Sequence, residues 1–466
     1  MTTTSDPSRR DVLRWLAGTA AVGVAGGSLI GCSSDDRTAK APASTTSTEP
    51  IRRSTVPPER RRLVVIELGG GNDGLSTLVP MDSGIYRDAR PTIAIEPTEL
   101  IDVDGEYGVP RMFRRLHEQG LTFLAGVGTA KPNLSHFDML SRWWTGTPNV
   151  TPPNGPGFLG RMCDVLGDRE RIAGVSIGLR TTPAMAAEHP TTMGLPESKL
   201  LTGFGSSSAA ANTAYLDAIA DLGAGGAAAP DPLLVRGGQG LGLMLEADEL
   251  LAKIPAPGDA YAKVDDLGKP FAQQLAFASQ LIRADLGVRV LHLASDAAAF
   301  DTHGGHNEAQ ARAWGALLPG IEAFRDELEA AGLTDEVMIV TTSEFGRRVK
   351  ENSQGLDHGA ASCALVMGPT KPGVVGEHPP LDALDDAGNL RATVMFDRYL
   401  ATMAAWLDVD PSSHYGHYAL AQSLKRLGRI AEARTHLRLA LAMAPSSALY
   451  RSALARLPAD GPGPGA

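Results

Sequence analysis

Leu63-Val64-Val65-Ile66-Glu67-Leu68-Gly69-Gly70-Gly71-Asn72-Asp73-Gly74 is the stretch on which the fold turns. An apolar run too short for a helix meets three glycines and an Asn-Asp-Gly turn, the pattern of a buried strand ending in a loop. Working outward, a second strand is predicted over 121–127, followed by a loop and a helix over 134–144 that Asn133 or Ser135 can cap. A strand over 288–293 precedes Asp301. A helix over 309–331 carries apolar Leu317, Leu318, Ile321 and Phe324, and strands over 337–342 and 363–367 follow. Strands alternating with helices of this length predict an α/β fold, a mostly parallel sheet sandwiched by helices. In such sheets ligands gather beyond the C-terminal ends of the strands.

Chemistry-bearing residues fall in those strand-end loops: Asp73, then Ser135-His136, then Asp301-Thr302-His303-Gly304-Gly305-His306, then Glu344 with Arg347, and finally Asp357-His358-Gly359. Carboxylate oxygens combined with imidazole nitrogens suit zinc, manganese or iron, and such ions activate a nucleophile and polarise a phosphoryl or sulfuryl oxygen. The chain has 11 histidines, of which His303, His306 and His358 lie in glycine-flanked loops. Asp73, Asp301, His303, His306, Glu344, Asp357 and His358 are therefore the candidate ligands of a divalent metal, the alternative being capped strand ends and solvated turns. Ser135 is the candidate nucleophile, because a helix starting there offers free amide groups and a positive dipole end to an anion; an ordinary N-cap is the competing explanation. His136 is the local base, and Arg347 a candidate clamp on an anionic group.

Gly-Gly-Asn-Asp-Gly-Leu (70–75), Ser-His-Phe (135–137), Phe-Asp-Thr-His-Gly-Gly (300–305), Ser-Glu-Phe-Gly-Arg (343–347) and Asp-His-Gly (357–359) occur in order and at plausible spacing. With Tyr86-Arg87-Asp88-Ala89-Arg90-Pro91 and Trp406-Leu407-Asp408-Val409-Asp410-Pro411, they make residues 61–411 resemble the domain of unknown function 1501 family. The resemblance implies twin-arginine export and a fold similar to the alkaline phosphatase and sulfatase superfamily. It also implies a strand-end Asp like Asp73, a nucleophile like Ser135, an Asp with a nearby His like Asp301 with His303 or His306, and a final His like His358. Where that superfamily ends a strand with Asp-His-Gly, this chain has Ser343-Glu344-Phe345-Gly346, which points to one metal site, or a degenerate one. The expectation is a metal-dependent hydrolase of phosphate or sulfate esters, or alternatively a non-catalytic cell-envelope binding or assembly protein on the same fold.

Upstream, Ser8-Arg9-Arg10-Asp11-Val12-Leu13 sets an arginine pair before an Ala- and Gly-rich apolar stretch, 15–30, which is the grammar of an export signal. The stretch is shorter than the roughly 20 apolar residues of a membrane span, so it predicts a cleaved segment. Leu29-Ile30-Gly31-Cys32 resembles a lipoprotein box in which Cys32 is acylated, a soluble secreted protein being the alternative. The expected address is the cell envelope, on its periplasmic or extracellular face. The expected partners are the twin-arginine translocase and the membrane, through a lipid anchor.

At 466 residues and 43% hydrophobic content, the chain can bury a large core, and its formal charge of -10 without a basic stripe excludes nucleic acid as partner. Cys163 and Cys363 are one candidate disulfide pair once Cys32 is lipidated. Residues 203–232 are rich in Ala, Gly and Ser, with a helix predicted at 213–222 and a flexible break at 223–232. Residues 414–447 space His417, Leu420, Ala421, Leu424, Gly428, Ala433, Leu437, Ala440 and Pro445 like one tetratricopeptide repeat, which either docks on the main domain or offers helices to a protein partner. The predicted organisation is a signal (1–32), a disordered linker (33–60), the α/β domain (61–412), a helical hairpin with its cap (413–457) and a flexible tail (458–466).

Overall fold

The computed structural model describes residues 55–146, 156–167, 171–178, 182–195, 209–251, 253–409, 421, 430–443 and 448–457. Arg9, Arg10, Cys32 and most of the predicted linker, together with His417, Leu420, Leu424, Gly428, Pro445 and the 458–466 tail, lie outside these residues. Val56–Val409 forms one compact unit, and the described residues beyond it belong to another.

The main sheet of this unit has nine strands: β1 (Arg62–Leu68), β2 (Thr122–Gly128), β3 (Gly174–Ile177), β4 (Thr192–Leu195), β5 (Val290–Ala294), β6 (Val337–Ser343), β7 (Ser362–Met367), β8 (Gly373–Val375) and β9 (Val394–Met395). Their order is β8-β2-β7-β6-β1-β5-β3-β4, with β9 also pairing β2. Every pairing is parallel except the two made by β7, which runs against β6 and β2. The sheet is thus mostly parallel and flanked by helices.

Side chains alternate across β1, and the alternation explains the two layers. Val64, Ile66 and Leu68 pack with Phe271 and Leu275 of α6 (Lys269–Arg283) and with Leu317, Ile321 and Phe324 of α7 (His306–Ala330). Leu63 and Val65 pack on the other face with Met139 and Trp143 of α2 (His136–Thr145), Leu159 and Met162 of α3 (Phe158–Leu166), and Phe396 and Tyr399 of α8 (Phe396–Trp406). Each such fully buried side chain contributes roughly 1.5–3 kcal/mol, so the doubly covered centre of the sheet, not helix propensity, holds the site's platform in place. A four-residue helix, α1 (Gly74–Thr77), follows β1 directly.

Two expectations are corrected. The helix predicted to stop at Leu222 continues, as α4 (Ala209–Ala227), and turns into α5 (Pro232–Leu251). Glycines on both helices serve close packing: a Cβ on Gly226 of α4 would lie 2.9 Å from Leu234 O, and one on Gly238 of α5 2.1 Å from Ala227 N. Cys163 and Cys363 do not pair; both are free and buried, Cys163 in one core cluster and Cys363 in the other, on opposite faces of the sheet. Burial pushes both thiols up, Cys363 to about 12.

In the second unit, α9 (Ile430–Met443) and α10 (Ala448–Ala455) enclose a small cluster of Ala421, Ala433, Leu437 and Leu457. No helix among the described residues is long and apolar enough to cross a membrane.

Candidate functional site

Loops leaving β1, β5, β6 and β2 deliver Gly70, Asp301, Glu344 and His136 to one end of the sheet. His358 reaches the same end because β7 is antiparallel, so the residues that enter it meet the residues that leave its neighbours. The loop joining β6 to β7 folds back as a hairpin, with Gly359 N donating to Gly346 O at 2.8 Å and an isolated antiparallel bridge between Arg347 and His358. Gly70 and Gly71 let these loops close. Both have positive φ, and a Cβ would meet Asp301 N at 2.5 Å on Gly70 and the Phe345 ring at 2.5 Å on Gly71.

The centre of the cluster is Asp301. His358 Nδ1 lies 2.7 Å from the Leu134 carbonyl. A carbonyl only accepts, so Nδ1 carries the hydrogen and Nε2, 3.3 Å from Asp301 Oδ1, presents its lone pair in the neutral ring. His136 repeats the arrangement: Nδ1 donates to Glu344 Oε1 at 2.9 Å, and Nε2 faces Asp301 Oδ2 at 3.6 Å. His136, Asp301 and His358 thus offer one ligand atom each, all within 4.8 Å of one another. Phe345 packs against both imidazoles, with ring centroids 4.8 and 4.5 Å away. His303 Nδ1 is 3.0 Å from Asp301 Oδ1, on the solvent side.

The environment biases each group differently. The hydrogen bond that His136 donates to Glu344 raises His136, outweighing burial, whereas burial and then the charges of Arg347 and His136 lower His358. Burial presses Asp301 upward, but the Arg347 hydrogen bond and charge hold it below the usual carboxylate range.

Several sequence expectations are redirected. Arg347 does not face an incoming anion. Its guanidinium is buried, with Nε on Gly71 O at 2.9 Å, Nη1 on Leu356 O at 2.9 Å, and Nη2 on Phe300 O at 2.9 Å, Asp301 Oδ1 at 2.7 Å and Gly70 O. It ties the site's loops together. Glu344 stands behind His136: its Oε1 also accepts from Gly70 N at 2.7 Å. Asp73 and His306 are drawn into a separate buried network. Arg90 grips both Asp73 oxygens, at 2.5 and 2.9 Å, and His306 bonds Ser76 Oγ at 2.9 Å and Thr302 Oγ1 at 2.7 Å. Asp357 accepts from Asn352 Nδ2, and Arg348 N donates to its carbonyl at 3.0 Å. Ser135, exposed at the start of α2, makes no side-chain capping bond.

Arg90 went unassigned from sequence although it lies in the Tyr86–Pro91 motif, which was the available signal. The part of His136 beside Asp301 was likewise hidden, because Ser-His reads locally as nucleophile and base.

A mostly parallel α/β sheet with two imidazoles and a carboxylate converging beyond its strand ends defines the class of protein by fold and site. Within that class, the chain belongs to the family described as "Protein of unknown function (DUF1501)", whose profile matches residues 120–419. No curated protein matches it in sequence. Similar solved structures include the lipoteichoic acid synthase LtaP from Listeria monocytogenes, with TM-score 0.38, 8% identity and coverage of 75% of this chain and 72% of that one. The alkaline phosphatase from the Antarctic bacterium TAB5 has TM-score 0.31 and 10% identity, covering 75% and 98%. The phosphonate monoester hydrolase SpPMH from Silicibacter pomeroyi has TM-score 0.30 and 10% identity, covering 75% and 73%.

Proposed function

We propose that the chain is a metal-dependent hydrolase of phosphate or sulfate esters, with His136 Nε2, His358 Nε2 and Asp301 holding one divalent ion. The observation that carries this reading is the orientation of the histidines: each Nδ1 is engaged by an acceptor, so both Nε2 atoms face the same carboxylate. Three protein ligands, with outer partners that set the tautomers, fit an ion of the zinc, manganese or iron group. Such an ion, when bound, polarises a phosphoryl or sulfuryl oxygen.

The chain's own groups supply the rest. The amides at the N-terminus of α2 have no side-chain cap and are free to receive an anion, and Ser135 Oγ is the hydroxyl beside them. Ser135 Oγ forms a bond to the phosphorus or sulfur as that atom's bond to the alcohol oxygen breaks, and the serine's proton passes to solvent, which returns one to the departing alcohol. Water then releases the acid and restores the hydroxyl. The Arg90 grip on Asp73 favours a second reading, in which the fold is kept for binding an envelope ligand without turnover, since it removes one expected ligand.

The same proposal extends to the ends of the chain. Arg9 and Arg10 address it to the twin-arginine translocase, acylated Cys32 anchors it in the cell envelope, and the C-terminal helices serve a protein partner. Labelling with a radioactive fatty acid that Cys32→Ala abolishes tests the anchor. For the site, elemental analysis of the full chain against a His136→Ala, His358→Ala double variant is decisive. Stoichiometric metal lost from a still-folded variant supports the proposal. A parent that binds none of the three metals after reconstitution leaves the binding reading in its place.

A further inference from the structure

Phe137 is 87% exposed, more than any other large apolar side chain described, Leu233 at 77% coming next. It follows His136 directly, in the first turn of α2. Its neighbours along the same helical stripe, Ser141 and Trp144, are covered: Ser141 is buried, and Trp144 Nε1 donates to Glu67 Oε2 at 2.8 Å. The stripe is bare only where the helix meets the site. Helical Cα–Cβ bonds tilt toward the N-terminus, so Phe137 leans toward Ser135 and the open amides, about 100° around the helix from His136. It is thus an exposed side chain one residue from a member of the cluster, at the start of the same helix. A scattered surface apolar residue needs no explanation, but an uncovered aromatic residue next to the ligand cluster found among the described residues does.

The rim divides by chemistry. Free amides, Ser135 and half-exposed His303 suit the anionic head of an ester, and with the head there the alcohol half lies along the first turn of α2. We infer that Phe137 is a platform for that alcohol half, and that the substrate's alcohol carries a flat apolar ring. This inference rests on the ester-hydrolase reading and names its substrate class.

The test uses the zinc-loaded full chain and two non-hydrolysable probes of matched charge, ethylphosphonate and 2-phenylethylphosphonate, titrated by calorimetry. Ring-on-ring contact predicts that the phenyl probe binds the parent roughly two- to tenfold more tightly. Phe137→Ala should equalise the two probes at unchanged metal content, and Phe137→Trp should keep the preference. Equal affinities in the parent, or a preference that survives Phe137→Ala, overturn the inference while leaving the hydrolase reading intact. Metal bound with neither phosphonate retained overturns both, and points to Phe137 as a contact for another protein.

Discussion

His136 Nδ1 lies 2.9 Å from Glu344 Oε1, so a carboxylate at the end of one strand selects which nitrogen a histidine from another element shows to Asp301. Glu344→Gln keeps the side chain's shape and an acceptor for Gly70 N but removes the charge that orients the ring. Zinc affinity is expected to fall roughly ten- to hundredfold while the fold persists. Competition titration with a chromophoric chelator measures the affinity, and an unchanged value would show that Glu344 has no part in presenting His136.

Asp73 and Arg90 form a buried, two-pronged ion pair. Breaking such a pair from one side strands the other charge, so Asp73→Asn is expected to cost about 3–5 kcal/mol in urea unfolding at neutral pH.

The same pair predicts acid sensitivity. Burial presses the Asp73 carboxyl upward, but the charge of Arg90 and the hydrogen bonds from His306 and Arg90 outweigh it and hold the group well below its ordinary range. A depressed carboxyl contributes stability that is fully present above the unfolded value of about 3.9 and is lost as pH falls toward the folded one. The stability gap between parent and Asp73→Asn should therefore narrow below about pH 4. Urea midpoints across a pH series check this; a gap that stays constant would remove the ion pair from the account.

Arg347 holds the carbonyls of Gly70, Gly71, Phe300 and Leu356 as well as Asp301. Lysine has the charge but not the planar fork that spans these acceptors. Arg347→Lys is expected to lose about 3–5 kcal/mol of stability and to bind metal poorly, because the loops that carry Asp301 and His358 are no longer tied. A chemical melt combined with elemental analysis reads both effects; wild-type stability in the lysine variant would contradict the brace.

Cys163 and Cys363 are separated by the sheet and have raised thiol values. At pH 8 a thiol reagent should leave both untouched in the folded chain and modify both in denaturant without reductant. Silence of the two thiols after unfolding would mean that they had paired.

Much of the fold is legible in the sequence because β1 is apolar on both faces and stops at consecutive glycines, so both its burial and its end are written locally. The strand-end positions of Asp301, Glu344 and His358 follow from the same punctuation. What local pattern cannot convey is which group reaches which. Asp73 looks free in its loop, yet Arg90, 17 residues on, arrives through packing that has no periodic signature. Arg347 reads as a clamp for an anion because nothing nearby reveals the carbonyls that surround it. The direction of β7 is equally silent, since a short apolar run looks the same from either end. At α4, composition misled: glycines that weaken an isolated helix are the residues that let α5 approach.

The reversed strand β7 has an evolutionary consequence. Glu344, Arg347 and His358 all ride on the single connection between β6 and β7, while Asp301 and His136 arrive on separate loops. One segment exchange between positions 343 and 362 therefore adds or deletes His358, one of the three converging groups, together with Glu344 and Arg347, which hold the other two, without altering any sheet register. If the proposed ion is held here, replacing this one hairpin is enough to abolish the site while the sheet keeps its strand order.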